Sequence, residues 1–151
     1  MKAEIDQSGK LEHLNIHTVV ALANHISKVV FISSSEKIKL VKTLRKSIVV
    51  RKDLIYVIFA SMIFLLIKNI KDISILIIDE EYTGKEKFID EVLNKLYLRH
   101  KIKNKPYFTF GRVGKSSLAH NLAINSYRKK RNLKIEIEKL KSNDILRLWR
   151  L

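Results

Sequence analysis

The stretch "HTVVALANHISKVVFIS", residues 17–33, contains two apolar runs rich in β-branched side chains, separated by residues 24–27. Short runs of this kind, bounded by turn-forming residues, predict β-strands. A further strand is predicted upstream over residues 2–6, followed by a turn at Gly9. Because short connections reverse the chain direction between neighbouring strands, these three strands predict an antiparallel meander at the start of the fold.

The next segment predicts two helices of different character. Residues 33–47 begin with serines, which are good N-caps, and place Ile38, Val41 and Leu44 at three-residue spacing. This spacing predicts an amphipathic helix with a basic outer face. Residues 54–70 are apolar on nearly every side, so they predict a helix in the middle of the domain.

Strands and helices alternate in the remainder of the chain. "DISILIIDEEY", residues 72–82, is an apolar run that ends in acids and predicts a strand buried on both faces. The elements predicted after it are a helix over residues 85–100, a strand over 107–110, a helix from Ser116 or Ser117 to about 130, a strand over 133–138 and a last helix over 142–151.

This element order predicts an α/β fold. Three antiparallel strands followed by two strands reached through right-handed crossovers form one mixed sheet, with helices on both faces. The chain of 151 residues suits one domain. We therefore expect a single domain over residues 1–151, in which residues 132–151 form a C-terminal extension.

The charge of the chain predicts a polyanionic partner. Thirty Lys and Arg residues face fifteen Asp and Glu residues, which gives a formal net charge of +15. Such an excess repels itself in a compact protein unless an anionic partner balances it. Nucleic acid is the first candidate and an anionic membrane surface the second, while a generally lysine-rich surface is the neutral alternative.

Two further features of the composition bear on the cellular environment. The chain contains no cysteine, which excludes disulfides, zinc–thiolate sites and thiol nucleophiles. The longest apolar run, residues 54–67, is shorter than the roughly 20 residues of a membrane span. With no apolar signal-peptide core near the first residue, these features predict a soluble, cytoplasmic protein with no membrane association.

The stretch "FTFGRVGKSSLAH", residues 108–120, is similar to the phosphate-binding loop of a nucleotide-binding protein. That loop requires G-x-x-x-x-G-K-[ST], and Gly114, Lys115 and Ser116 match its end. Thr109 occupies the position of the first glycine, and too little chain follows for a complete nucleotide-binding core. A nucleotide-binding protein is therefore the less favoured prediction.

The element order and the motif "IDQSGK", residues 5–10, resemble the ribonuclease H-like superfamily, many members of which begin with Asp-x-Ser-Gly on the first strand. The resemblance covers most of residues 1–131. It implies that acids from the first strand, the end of the fourth strand and the closing helix converge on two divalent cations. By position these are Asp6 and Asp79, and in the closing helix, which has no acid, His120. Such a set resembles the Asp-Asp-His site of Argonaute nucleases.

The resemblance also implies an activity, the hydrolysis of phosphodiester bonds in RNA, an RNA–DNA hybrid or branched DNA. Asp6 would bridge two Mg²⁺ or Mn²⁺ ions, with Asp79 and His120 as ligands of individual ions and Glu80 or Glu81 as a spare acid. Hard cations relieve the repulsion between adjacent carboxylates, and two of them can activate water and stabilise the leaving oxygen.

Each of these residues also has a structural interpretation. Asp6 could accept amide hydrogens in a turn, Asp79 could cap a helix, and His120 could be an ordinary helical residue. Many members of the superfamily add a glutamate from the first long helix, but residues 54–70 contain none. The alternative is therefore a non-catalytic nucleic-acid-binding protein on the same fold.

Basic and aromatic residues near these positions would hold the substrate. Cations that neutralise phosphates without reading sequence are predicted in two groups, one around the glycine loop and one after the closing helix: Arg112, Lys115, Arg128, Lys129, Lys130 and Arg131. For Tyr82 and Tyr107, buried packing is expected and base stacking is the alternative. The other histidines, His13, His17, His25 and His100, show no ligand spacing and are expected on the surface.

Overall fold

The computed structural model describes residues 1–24, 26–47, 51–128, 135 and 137–150. Within them one mixed sheet has the strand order β5-β4-β1-β2-β3-β6. β1, β2 and β3 are antiparallel neighbours, whereas β4 runs parallel to β1 and β5 parallel to β4. The predicted α/β class and the opening meander are therefore confirmed. The strands are β1 Lys2–Ser8, β2 Thr18–Ala23, β3 Lys28–Ile32, β4 Ile75–Asp79, β5 Tyr107–Gly111 and β6 Ile137–Leu140.

Helices cover both faces of the sheet, as the crossovers require. The described α-helices are α1 Ser34–Arg45, α2 Leu54–Ile67, α3 Glu86–Arg99, α4 Leu118–Tyr127 and α5 Ser142–Trp149. Alternate side chains of β2 point to opposite faces of the sheet and so belong to two different cores. Val20 and Leu22 lie in a large core with α1, α2, α3 and α5, whereas Val19 and Ala21 lie in a smaller core with α4. The smaller core places α4 alone, among the described helices, on the second face.

α2 occupies the centre of the large core, as its all-round apolar sequence predicts. Twelve of its 14 residues are buried, and it contacts α1, α3 and α5 as well as the sheet. The helix ends at Ile67, earlier than the predicted residue 70. Among the described residues, no helix has the length and apolar character needed to cross a membrane.

Two predicted burial patterns were wrong in part. In α1, Val41 and Leu44 are buried as predicted, together with Lys37 and Leu40, whereas Ile38 is exposed. β4 is fully buried on its α2 side but only half-buried on the other side, because α4 packs mainly against β1 and β2. Both differences arise from the tertiary arrangement of neighbouring elements.

The C-terminal segment contributes to the same sheet and core. β6 pairs in parallel with β3, with Val29 opposite Ile137 and Ile32 opposite Leu140. In α5, Ile145 and Leu148 are buried in the large core. The extension predicted over residues 132–151 thus adds a sixth strand and a helix, with β6 beginning four residues after the predicted strand start.

Candidate functional site

Register in the sheet brings Asp6 and Asp79 together. Ile5 on β1 is paired with Ile78 on β4, and both side chains are buried in the large core. The next residue on each strand points to the opposite face because side chains alternate along a strand. Asp6 and Asp79 therefore lie side by side on the face that carries α4.

A third acid completes a carboxylate cluster, the name used here for Asp6, Asp79 and Glu81. Each offers one oxygen, and among the described residues these oxygens lie within 4.8 Å of one another. Of the two spare acids named from the sequence, Glu81 belongs to this group, whereas Glu80 is exposed and outside it. The Glu80 backbone N–H donates to the Gly111 carbonyl at 3.1 Å. Since that hydrogen bond holds the chain after β4, Glu81 rather than Glu80 turns toward the site.

His120 reaches the site from the first turn of α4. Ser117 caps this helix, and its Oγ accepts the His120 backbone N–H at 3.0 Å. The imidazole Nδ1 lies 2.8 Å from Asp6 Oδ2. The three residues predicted from distant segments, Asp6, Asp79 and His120, thus meet at one place, although His120 contacts the cluster through Asp6.

Backbone amides fix the two aspartates. The Gln7 N–H donates to Asp6 Oδ1, and the Val113 N–H donates to Asp79 Oδ1, each at 2.8 Å. Val113 belongs to the loop between β5 and α4, so this bond ties the loop to the site. The site geometry is therefore held by main chain from β1 and from the loop before α4.

Burial, together with the charge of neighbouring acids, raises the affinity of Asp6 and Glu81 for protons. Burial raises the pKa of Asp6, and the charge of Asp79 adds to this, while hydrogen bonds from His120 and the Gln7 N–H oppose it. Burial also raises the pKa of Glu81, as do the charges of Asp79 and Asp6, against a hydrogen bond from Gln7. A bound cation would oppose both effects, since it would stabilise the ionised carboxylates that burial and the neighbouring acids destabilise.

Gln7 and Tyr82 lie on the other face of the sheet beside this site. The Gln7 Nε2 donates to the Tyr82 hydroxyl at 2.9 Å. Tyr82 is buried between Tyr56 and Phe59, and burial raises its pKa. These side chains occupy the α2 side of the site, to which α2 itself brings no carboxylate.

The predicted basic residues divide between the two ends of α4. Arg112 and Lys115 are exposed in the loop that leads to His120, whereas Arg128 is exposed at the far end. A helix of 10 residues separates the two groups by about 15 Å. None of these three takes part in an ion pair within the described chain. The predictions for Lys129, Lys130 and Arg131 lie outside the described residues.

The loop before α4 lacks the layout of a phosphate-binding loop. Thr109, at the position of the required first glycine, is inside strand β5. The Val113 N–H, in the middle of the loop, is bonded to Asp79 instead of pointing into an anion cradle, and the Val113 side chain is buried. No observation in this loop favours the nucleotide-binding interpretation.

Two expectations about aromatic and imidazole side chains, those for Tyr107 and His17, were wrong. Tyr82 is buried as expected, but Tyr107 is 71% exposed. His17, expected on the surface, is half-buried and stacks on Tyr127 with ring centroids 4.2 Å apart. Packing against a later segment of the chain, which no local pattern reveals, explains this histidine. His13 and His100 are exposed as expected, and His100 Nε2 lies 3.0 Å from the Leu148 carbonyl oxygen. The prediction for His25 lies outside the described residues.

No family model, curated protein or solved structure matches this chain. The donor chemistry of the site nevertheless limits its ligands. Carboxylate oxygens suit hard cations such as Mg²⁺ and Mn²⁺, and a neutral imidazole nitrogen is also acceptable to Mn²⁺. The residues present therefore fit a divalent cation held mainly by oxygen.

Proposed function

We propose that this chain is a divalent-cation-dependent nuclease of the ribonuclease H-like type. The observation that carries the proposal is the convergence of Asp6, Asp79 and Glu81 within 4.8 Å, with His120 against Asp6. The order of elements, with acids on β1 and at the end of β4, is what the resemblance of the sequence to that superfamily implies. The substrates proposed are RNA, an RNA–DNA hybrid or branched DNA.

In this proposal the carboxylate cluster binds Mg²⁺ or Mn²⁺. Bound cations would supply an activated water and stabilise the leaving oxygen of the phosphodiester. Glu81, rather than Glu80, takes the role of the spare acid, since its oxygen lies within 4.8 Å of those of Asp6 and Asp79. His120 orients Asp6 through Nδ1, and its Nε2 is then available as a ligand, because ligating imidazoles usually donate their second N–H to a carboxylate.

Cations near the site would retain the substrate. Arg112 and Lys115 are exposed in the loop that carries Val113 against Asp79. Phosphate contacts of this kind position a nucleic acid without reading its bases. The net charge of +15 supports the same class of partner.

A cleavage assay tests the proposed activity. Labelled single-stranded RNA, RNA–DNA hybrid and branched DNA are incubated with the protein and Mg²⁺ or Mn²⁺. We expect Asp6→Asn to lower cleavage more than about 100-fold while leaving binding intact, since loss of even an outer partner of a metal site typically costs about 10- to 100-fold.

Asp72→Asn is the matched control, because Asp72 is an exposed acid outside the cluster. It should cut like the wild type. The nuclease proposal fails if the wild type binds these polynucleotides and cuts none of them with either cation.

A non-catalytic nucleic-acid-binding protein is the second candidate. One observation favours it: both oxygens of Asp6 have protein partners, the Gln7 N–H and His120. An aspartate satisfied in this way can serve a structural purpose without a cation. Binding without cleavage in the assay above is the result that this candidate predicts.

A further inference from the structure

A strip of the sheet next to the carboxylate cluster lies on the α4 face but beyond α4. That helix packs against β1, β2 and β3. On this face of β4 and β5, Ile75, Ile77 and Thr109 are only partly buried and Tyr107 is exposed. We call this strip the sheet platform; its residues are Lys2 and Glu4 on β1, Ile75 and Ile77 on β4, and Tyr107 and Thr109 on β5.

Register arranges the platform in rows that lead to the site. Lys2, Ile75 and Tyr107 are paired across three strands, and Glu4, Ile77 and Thr109 form the next row. The following row contains Asp6, Asp79 and Gly111, because side chains two residues apart share a face. The distance along the strands from the row of Ile75 to the row of Asp79 is about 13 Å.

The platform exposes apolar surface that a folded chain usually covers. Tyr107 is 71% exposed, and Leu118, at the start of α4, is 66% exposed. Beside Leu118 lies a cleft of about 190 Å³, lined by Lys2, Glu4, Ala23, Asn24, Ile77 and Leu118. Closed pockets for small molecules typically measure about 300–1,000 Å³, so the cleft fits a chain that crosses the surface better than an enclosed ligand.

Charge at the two ends of the platform favours a polyanion. Lys2 is exposed in the row farthest from the cluster, and Arg112 is exposed immediately after Gly111 in the nearest row. Neither forms an ion pair with any other described residue. Glu4 opposes them from the middle row, where it is half-buried beside Ile77, so phosphates would lie toward the two ends.

We infer that the sheet platform holds an unpaired nucleic-acid strand on its way to the carboxylate cluster. Tyr107 would stack on a base, with Lys2 and Arg112 against phosphates. An exposed ring can stack only on a base whose face is free, which unpaired nucleotides offer and duplexes do not. Open sheets with exposed aromatic side chains hold two or three bases in this way. This inference rests on the proposed function and narrows its substrate to single strands or unpaired segments.

Equilibrium binding tests the inference apart from catalysis. A short fluorescent single strand of mixed sequence and the matching duplex are titrated with protein in EDTA, and affinity is read from anisotropy. We expect Tyr107→Ala to weaken binding of the single strand by about 5- to 150-fold, the range typical of one lost base–aromatic stack. Binding of the duplex should change by less than about twofold, since no stack is lost there.

Two variants serve as controls. Tyr107→Phe keeps the ring and should bind the single strand like the wild type. Leu98→Ala removes a side chain that is 81% exposed on α3, away from the platform, and should also leave binding unchanged. Thermal unfolding of each variant checks that the fold is retained, which is expected at exposed positions.

Three results would overturn the inference: unchanged single-strand affinity in Tyr107→Ala, equal weakening for strand and duplex, or no binding of the single strand by the wild type. These differ from failure of the nuclease proposal. If the wild type cleaves but Tyr107→Ala binds the single strand as tightly as the wild type, the platform inference is wrong and the nuclease proposal stands. If binding depends on Tyr107 but nothing is cleaved in Mg²⁺ or Mn²⁺, the platform inference stands and the nuclease proposal is wrong.

Discussion

Lys37 is a charged residue with a structural role, because its side chain is buried and hydrogen-bonded. Its side chain is 1% exposed, and Nζ donates to the carbonyl oxygen of His13 at 2.8 Å and to Thr18 Oγ1 at 3.0 Å. A third bond, at 3.4 Å, goes to the Lys10 carbonyl. The ammonium thus ties the connection between β1 and β2 to α1. Burial lowers its pKa to about 8, against the opposing charge of Glu12.

This pKa predicts a specific pH dependence of stability. Between about pH 8 and pH 10.5 the folded state has lost the proton of Lys37, whereas the unfolded state retains it. Because the unfolded state then binds more protons, the free energy of unfolding should rise with pH, by at most about 1.4 kcal/mol per unit from this group. Below pH 8 both states are protonated and the contribution is constant.

Urea unfolding at several pH values between 7 and about 10 measures this effect by comparing wild type with Lys37→Met. The stability advantage of wild type over the variant should grow as pH rises. Lys42 lies on the exposed side of the same helix, so the stability of Lys42→Met should depend on pH in the same way as that of the wild type. Parallel pH profiles for wild type and Lys37→Met would show that Lys37 titrates normally.

At the scale of the element, α4 links stability to the site. Ser117 Oγ accepts the backbone N–H of His120, and the same histidine contacts Asp6. The capping residue therefore determines where the first turn, and with it the imidazole, is held. A change at the cap should affect both the helix and the geometry around Asp6.

Replacing the cap tests this link. Ser117→Ala should lower the free energy of unfolding by about 1 kcal/mol, the usual cost of a lost N-cap. It should also lower any cation-dependent cleavage, since fraying of the first turn moves His120 from Asp6. Ser116→Ala removes an exposed hydroxyl one residue earlier and should leave both unchanged. Equal effects of the two substitutions in denaturant unfolding and cleavage would contradict the role of Ser117.

At the scale of the whole molecule, two distant segments bring one group of like charges together. β1 contributes Asp6, and the end of β4 with the residues after it contributes Asp79 and Glu81. Burial in the folded chain raises the pKa of Asp6 and of Glu81. Because the pKa of each group is higher in the folded state than in the unfolded state, the free energy of unfolding should fall as pH rises above the ordinary carboxylate pKa. A ligand that neutralises them should stabilise the entire fold.

Thermal unfolding with and without Mn²⁺ measures this coupling. At a concentration about 100 times the dissociation constant, Mn²⁺ should stabilise the wild type by about 2.7 kcal/mol, or roughly 5–10 °C for a domain of this size. Glu81→Gln should lose most of the shift, because its oxygen belongs to the cluster, whereas Glu80→Gln should keep it. A shift that depends on Glu80, or on neither residue, would exclude the cluster as the cation site.

Local sequence patterns determined much of the fold. The β-branched runs at β2 and β3, the all-round apolar residues of α2 and the serine cap of α4 each specify their own element, because strand and helix periodicity are properties of neighbouring residues. The order of these elements also restricts how the sheet can be wound. The prediction that Asp6, Asp79 and His120 lie near one another came from the resemblance of this order and of residues 5–10 to the ribonuclease H-like superfamily.

Tertiary structure alone decided which side chains face inward where local patterns are ambiguous. Glu81 rather than Glu80 joins the cluster because a hydrogen bond from the Glu80 N–H to Gly111 fixes the chain after β4. Lys37 is buried because carbonyls of another segment surround its ammonium, and Tyr107 is exposed because α4 packs on β1 to β3. Each outcome depends on a neighbour distant in the chain, and burial is set by such neighbours rather than by the residue itself.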